Sequence, residues 1–209
     1  MKTRVLIVDD QIMSRQLFES FIAASGRYEL AASVDTARFA DAYCAGGRVD
    51  LVLMDIVMKD GSNGLESARR IKASYPRIKV IIVTSMPDAS FLRRAREIGA
   101  DSFWYKEVQE RPMLEVMDRT MAGEHIFPDS PPVTMLGMAR STDLTERELE
   151  VLRLLAEGLT DREIAGQLHL SITTVRYHVG NLISKTGQSS RTELAVNAVR
   201  SGIVLPGIR

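Results

Sequence analysis

Cysteine is almost missing from this 209-residue chain, Cys44 being the only one. An intramolecular disulfide is therefore impossible, and a cysteine-built zinc site is not expected. Net charge is missing as well. Twenty-seven basic side chains balance 27 acidic ones, which leaves no polybasic tail and no disordered acidic segment. Long apolar runs are also lacking at the start, where Met1-Lys2-Thr3-Arg4 leads into only Val5-Leu6-Ile7-Val8. That run is too short for a secretory leader and far too short for a membrane span. A cytoplasmic protein with no membrane partner is expected, and the length suits one or two domains.

What the chain does have is a set of polar residues at the ends of short apolar runs. Asp9 and Asp10 follow Val5–Val8, and Asp55 follows Leu51-Val52-Leu53-Met54. Thr84-Ser85 follows residues 78–83, and Lys106 follows Ser102-Phe103-Trp104-Tyr105. In an open parallel α/β sheet, ligands bind at the carboxyl ends of the strands. Clustered carboxylates suit a hard cation with oxygen ligands, and a nearby hydroxyl and ammonium suit an anionic phosphoryl group. The plainer explanation, that each residue caps the next helix, fits any one aspartate equally well but fits the ordered set of five poorly.

Strands are expected near 3–8, 29–34, 49–54, 78–83 and 101–105. Helical patterns lie near 12–25, 36–45, 63–74, 88–98 and 108–121. Gly26, Gly46-Gly47, Pro76 and Gly99 mark the joints. Near-continuous Val, Ile and Leu in the strands imply a sheet covered on both faces. Five such units predict a doubly wound, five-stranded parallel α/β domain over 1–122. Phe91, Leu92, Ala95 and Ile98 share one helical face, with Arg93, Arg94 and Arg96 on the other.

Residues 123–142 change character. Pro128, Pro131 and Pro132 permit neither helix nor central strand, so this reads as a linker, semi-rigid where the prolines cluster. The stretch Val133–Leu136 is apolar enough to dock. Residues 143–209 read as an all-helical domain. Thr145 with Glu148 forms a capping box, with Leu144 as the staple, and Thr160 with Glu163 forms a second. Ser171 caps a helix that runs to about Lys185, and a last helix spans 191–200. Two short helices joined tightly through His169-Leu170 make a helix-turn-helix. Residues 143–170 carry three basic and seven acidic side chains, whereas 171–200 carry Arg176, Lys185, Arg191 and Arg200 against Glu193 alone. Positive charge therefore gathers on the third helix and its flank, where a polyanion would lie.

These motifs resemble a known combination. Residues 1–122 are similar to the receiver domain of two-component response regulators. Asp9-Asp10 match the acid pair, Asp55 the phosphoacceptor, Thr84 the switch hydroxyl, Lys106 the invariant lysine and Phe103 the switch aromatic. Residues 144–203 resemble a LuxR-type DNA-binding domain through Leu144-Thr145-x-Arg147-Glu148-x-Glu150-Val151-Leu152, Glu163-Ile164-Ala165-x-x-Leu168, Thr174-Val175-Arg176-x-His178 and Asn181-x-x-x-Lys185. Their order is that of NarL/FixJ-type response regulators.

The resemblance implies a DNA-binding transcription regulator rather than an enzyme. It implies Mg²⁺ on Asp10 and Asp55, with Asp9 through water and the Val57 carbonyl as a further ligand. It also implies a sensor histidine kinase as phosphoryl donor and a homodimer on double-stranded DNA. Arg176 and Tyr177 are then expected to read bases, with Ser171, Thr174 and Lys185 positioning the DNA backbone and Thr173 as a further DNA-binding residue.

The sequence departs from the family pattern in three places. The Asp55-to-Gly64 loop is one residue longer than the family's usual spacing, with Lys59 where proline is usual. Glu107 follows Lys106 where proline is usual. A non-proline cis bond costs roughly 2.5–4 kcal/mol, so a trans peptide is expected there, with Lys106 aimed differently. Gly180 sits inside the recognition helix, at a cost of about 1 kcal/mol relative to alanine. Two rival readings follow. An aspartate-nucleophile phosphohydrolase lacks its second carboxylate, since Val57 stands there. A phosphorylation-independent regulator would use the first domain only to dimerise.

Overall fold

The computed structural model describes residues 2–106 and 112–204. Residue contacts divide it into two compact units. One comprises Met1–Ser85 and Ala89–Pro131; the other comprises Pro132–Arg209 with the short segment Met86–Asp88.

The first unit alternates strand and helix: β1 (Thr3–Val8), α1 (Ile12–Ser25), β2 (Tyr28–Val34), α2 (Ala40–Ala45), β3 (Leu51–Asp55), α3 (Gly64–Ser74), β4 (Lys79–Thr84), α4 (Ala89–Glu97), β5 (Ser102–Tyr105) and α5 (Met113–Met121). The five strands are all parallel, in the order β2-β1-β3-β4-β5. This is the doubly wound sheet expected from the sequence. Side chains alternate across it. Val5, Ile7, Leu51, Leu53, Ile81, Val83 and Trp104 pack with Phe18 and Ile22 of α1 and with Met113, Val116 and Met117 of α5. The intervening Leu6, Val52, Met54, Val80, Ile82 and Phe103 are buried as well, so neither face is left to water.

Two helices are shorter than the sequence suggests. The expected helix over 36–45 begins only at Ala40. Thr36 and Ala37 instead bond to the side chains of Asp60 and Ser62, which holds them in a loop. The helix expected over 108–121 begins at Met113, and residues 108–111 of that span lie outside those described.

At the start of β5, the buried Asp101 carboxylate accepts from Lys72 Nζ at 2.7 Å, Lys79 Nζ at 2.9 Å and the Val80 amide at 2.9 Å. Burial opposes ionisation, yet these donors outweigh it and hold the carboxyl below its usual range. Because the folded pKa is depressed, the stabilisation is present at neutral pH and is lost as pH falls below the unfolded value toward the folded one. Asp101→Asn is expected to cost about 3 kcal/mol at pH 7, the low end for breaking a buried pair because both lysines retain some water. The gap to the parent should shrink below pH 4, as measured by urea unfolding across that range.

The segment 123–142 is more ordered than a linker reading allows. Ile126 bridges to Ser102 in parallel, and its carbonyl accepts from the Phe103 amide at 2.8 Å. Phe127 lies 6.5 Å from Phe103 between ring centroids, with the Arg96 guanidinium 5.0 Å from the Phe127 ring. Pairing along the outer side of β5 covers an edge that would otherwise present unpaired backbone groups. Further on, β6 (Met135–Leu136) and β7 (Ala139–Arg140) form a small antiparallel hairpin. Both strands fall within 123–142, and the described part of 143–209 contains no strand, as the all-helical reading of the second domain expects. Leu136 and Ala139 are buried in its core, and Gly137 takes the positive φ of 59° that the turn requires.

The rest of the second unit is helical: α6 (Glu146–Ala156), α7 (Asp161–Leu168), α8 (Ile172–Thr186) and α9 (Arg191–Arg200). Both expected capping boxes form, and Ser171 caps α8 by accepting from the Thr174 amide. Val151, Leu152, Leu155, Ile164, Val175, Leu182 and Leu194 make one core. No helix among the described residues is long and apolar enough to cross a membrane.

Candidate functional site

Parallel strands that all end on one side of the sheet bring their C-terminal residues together. Asp9 and Asp10 leave β1, Asp55 ends β3, Thr84 ends β4 and Lys106 follows β5. Carboxylate oxygens of Asp9, Asp10 and Asp55 lie within 4.8 Å of one another. Lys106 Nζ sits between two of them, 2.6 Å from Asp9 Oδ2 and 2.7 Å from Asp55 Oδ2. The lysine is therefore aimed into the pocket, contrary to the reorientation expected from Glu107, which itself lies outside the described residues. Asp9 Oδ1 accepts from the Gln11 amide at 2.9 Å, and Asp55 Oδ1 from the Ile56 amide at 2.7 Å.

Asp55 is only 4% exposed. Burial, with the Asp9 charge adding to it, pushes its carboxyl up to about 6 against the opposing pull of Lys106 and the Ile56 amide. Such a group is a poorly solvated carboxylate near neutral pH, in a setting that rewards added positive charge. Thr84 is buried, and its carbonyl accepts from the Lys106 amide at 2.9 Å. Phe103 is buried with its ring 4.9 Å from that of Tyr105. Val57 forms an isolated antiparallel bridge with Asn63. Asp10 is partly exposed and accepts from the Lys59 amide at 2.6 Å.

In the second unit, α7 ends at His169 in the left-handed conformation (φ 53°), and α8 starts three residues on. Ser171, Thr173, Arg176 and Tyr177 are exposed, and Thr174 is partly so. The Arg176 side chain is 73% exposed and pairs with Asp161 at 3.2 Å. Gly180 lies on the same open face, where an added methyl would meet nothing within 4 Å. Lys185 is placed differently. Its ammonium donates to Glu148 Oε2 at 2.8 Å and to the Asp143 carbonyl at 3.0 Å, fastening α8 to α6.

The family model of the response regulator receiver domain matches residues 5–118. The chain belongs to the response regulators. A second family model, bacterial regulatory proteins of the luxR family, matches residues 142–198 of this regulator. The response regulator protein VraR of Staphylococcus aureus is 32% identical over 209 residues, covering 98% of this chain and all of its own. A LuxR-family DNA-binding response regulator structure from Staphylococcus aureus is 28% identical, covering 57% of this chain and 98% of that one, with a TM-score of 0.53. RcsB from Salmonella enterica serovar Typhimurium, solved on promoter rprA with the phosphomimetic BeF3−, shares the fold at 18% identity. It covers 94% of this chain and 98% of its own, with a TM-score of 0.61.

The regulator's structure adds residues that the motif reading passed over. Asp161 holds both Arg176 and Arg191, and Glu148 holds Lys185. Three of the four basic side chains counted as a positive field on 171–200 are thus partnered by acids from the preceding helices. Glu148 was legible only as a capping residue, since its link to Lys185 spans 37 positions. Lys59 stands out in the sequence as a departure from the family pattern, but its bond to Asp10 crosses 49 positions and has no local signature.

Proposed function

We propose that a sensor histidine kinase phosphorylates this regulator on Asp55, and that the phosphorylated form binds DNA through α8, as a homodimer, to control transcription. The convergence of Asp9, Asp10, Asp55 and Lys106 at the strand ends carries this reading. It also weighs against a first domain that serves only to dimerise, for which no such buried cluster is needed.

Three carboxylates within 4.8 Å offer only oxygen donors, and a lysine ammonium already sits among them. The pocket therefore fits Mg²⁺, with Asp10, Asp55, Asp9 and the Val57 carbonyl as its holders. Bound there, Mg²⁺ supplies positive charge against the charge that develops on the transferred phosphoryl group. Asp55 Oδ attacks phosphorus as the nucleophile. The new O–P bond forms as the P–N bond to the donor imidazole breaks, and the imidazole leaves with the electron pair and takes up a proton. Lys106 and the Thr84 hydroxyl then have phosphoryl oxygens to bond, and their movement shifts the surface around Phe103.

In the same reading, 1–122 is the receiver, 123–142 the connector and 143–209 the DNA-binding domain, with α8 in the major groove and α9 pairing subunits over two half-sites. A DNA partner places the protein in the cytoplasm. The test is fluorescence anisotropy on the chain's own upstream DNA before and after treatment with acetyl phosphate and Mg²⁺. Affinity is expected to rise about tenfold, within the usual range of allosteric coupling; unchanged affinity overturns the reading. Arg176→Ala should lose about 1–3 kcal/mol on the specific site and much less on random DNA. An equal loss on both would make Arg176 a phosphate contact.

A further inference from the structure

The lengthened loop between Asp55 and Gly64 has a definite job in the fold. Lys106 fixes Asp9 and Asp55, and the loop fixes Asp10 from another side. The Lys59 amide donates to Asp10 Oδ2 at 2.6 Å, and Lys59 Nζ donates to the Asp10 carbonyl at 3.3 Å. The proline usual at this place in the resembled pattern has no N–H to give. A carboxylate offers about four lone-pair sites over two oxygens, so one N–H on Oδ2 orients the group and leaves the other oxygen open.

The loop that presents this amide is itself pinned. Asp60 Oδ1 accepts from the Ser62 amide at 2.9 Å and its hydroxyl at 2.6 Å. Asp60 Oδ2 accepts from the Thr36 hydroxyl at 2.7 Å, and Ser62 Oγ accepts from the Ala37 amide at 3.1 Å. Gly61, at φ 77°, closes the turn, with its amide on the Met58 carbonyl at 3.0 Å. The bonds from Ser62 and Thr36 hold the Asp60 carboxyl down at about 2, so the latch is charged throughout the neutral range.

We propose that Lys59 is a positioning residue for the acidic pocket: its main-chain N–H, held by the Asp60–Ser62–Thr36 latch, fixes the Asp10 carboxylate beside those of Asp9 and Asp55 for a divalent cation. This rests on the pocket being a Mg²⁺ site. Groups that hydrogen-bond metal-ligating carboxylates typically contribute about 10–100-fold in metal affinity.

The experiment separates amide from ammonium. Lys59→Ala and Lys59→Pro lose the same charge, but only the proline variant loses the N–H. Magnesium chloride alone is titrated into each full-length protein by calorimetry. Lys59→Pro is expected to bind about tenfold or more weakly than Lys59→Ala. In the parent, the Lys59 amide proton should be protected from exchange and should shift on Mg²⁺ addition. Should Lys59→Pro fail to fold, Asp60→Ala carries the same expectation, since it frees the loop from Thr36 and Ser62 without a new proline. Equal Mg²⁺ affinity in the parent, Lys59→Pro and Asp60→Ala overturns the inference while the Mg²⁺ reading stands. A parent that binds no Mg²⁺ overturns both.

Discussion

Asp55→Asn is expected to gain no mass on incubation with acetyl phosphate and Mg²⁺, whereas the parent gains one phosphoryl group. An amide oxygen is not a competent nucleophile, and removing the nucleophile of a group-transfer site lowers the rate on the order of a thousandfold or more. The neighbouring carboxylates are poor substitutes. Asp9 is buried and held by Lys106 and the Gln11 amide, and Asp10 is engaged by Lys59. Asparagine is close to aspartate in shape, and Lys106 keeps Asp9 as a partner, so the variant should fold as the parent does by circular dichroism. Full labelling of Asp55→Asn would show that another side chain accepts the phosphoryl group.

The second large effect lies one loop away. Gly64 opens α3 with its amide on the Ile56 carbonyl at 2.8 Å. A Cβ there would stand 1.7 Å from the Asp55 carbonyl oxygen and 2.8 Å from its carbon. Both are backbone atoms, so no rotamer change relieves the clash, and either α3 or the peptide carrying the nucleophile must move. Gly64→Ala is therefore expected at or beyond the upper end of overpacking costs, about 3 kcal/mol, or a midpoint loss on the order of 10 °C. Residual labelling of Asp55 should be about a hundredfold slower, as for a misplacement near 1 Å. Gly46→Ala, whose new methyl meets nothing within 4 Å, should show neither effect. Thermal unfolding and labelling rates of both variants check this, and a Gly64→Ala protein that behaves like the parent would mean the loop yields freely.

Much of this molecule is written locally. Val5–Val8 and Leu51–Met54 are buried strands because runs of branched apolar residues of that length suit a sheet covered on both sides. Thr145–Glu148, Thr160–Glu163 and Ser171 start helices because each cap is closed within three residues of chain. The pocket was legible for the same reason. Once the strands are parallel, their C-terminal residues must share an edge, so Asp9, Asp10, Asp55, Thr84 and Lys106 converge without any contact having to be guessed.

Partnerships between distant segments were not legible. Residues 36–39 carry a helical pattern, yet Asp60 and Ser62 hold Thr36 and Ala37 in a loop. The apparent positive field of 171–200 is partly spent on Asp161 and Glu148, because charge counted along a chain ignores which acids the fold brings alongside. Residues 123–142 read as a connector from their prolines, but Ile126 pairs beside β5 and Leu136 enters the second core. By itself, the sequence determined the strands, the caps and the order of the site residues, since those depend on neighbours a few positions apart. The tertiary structure decided the aim of Lys106, the grip of Lys59 on Asp10 and the inward turn of Lys185, since each rests on a partner 37 or more positions away.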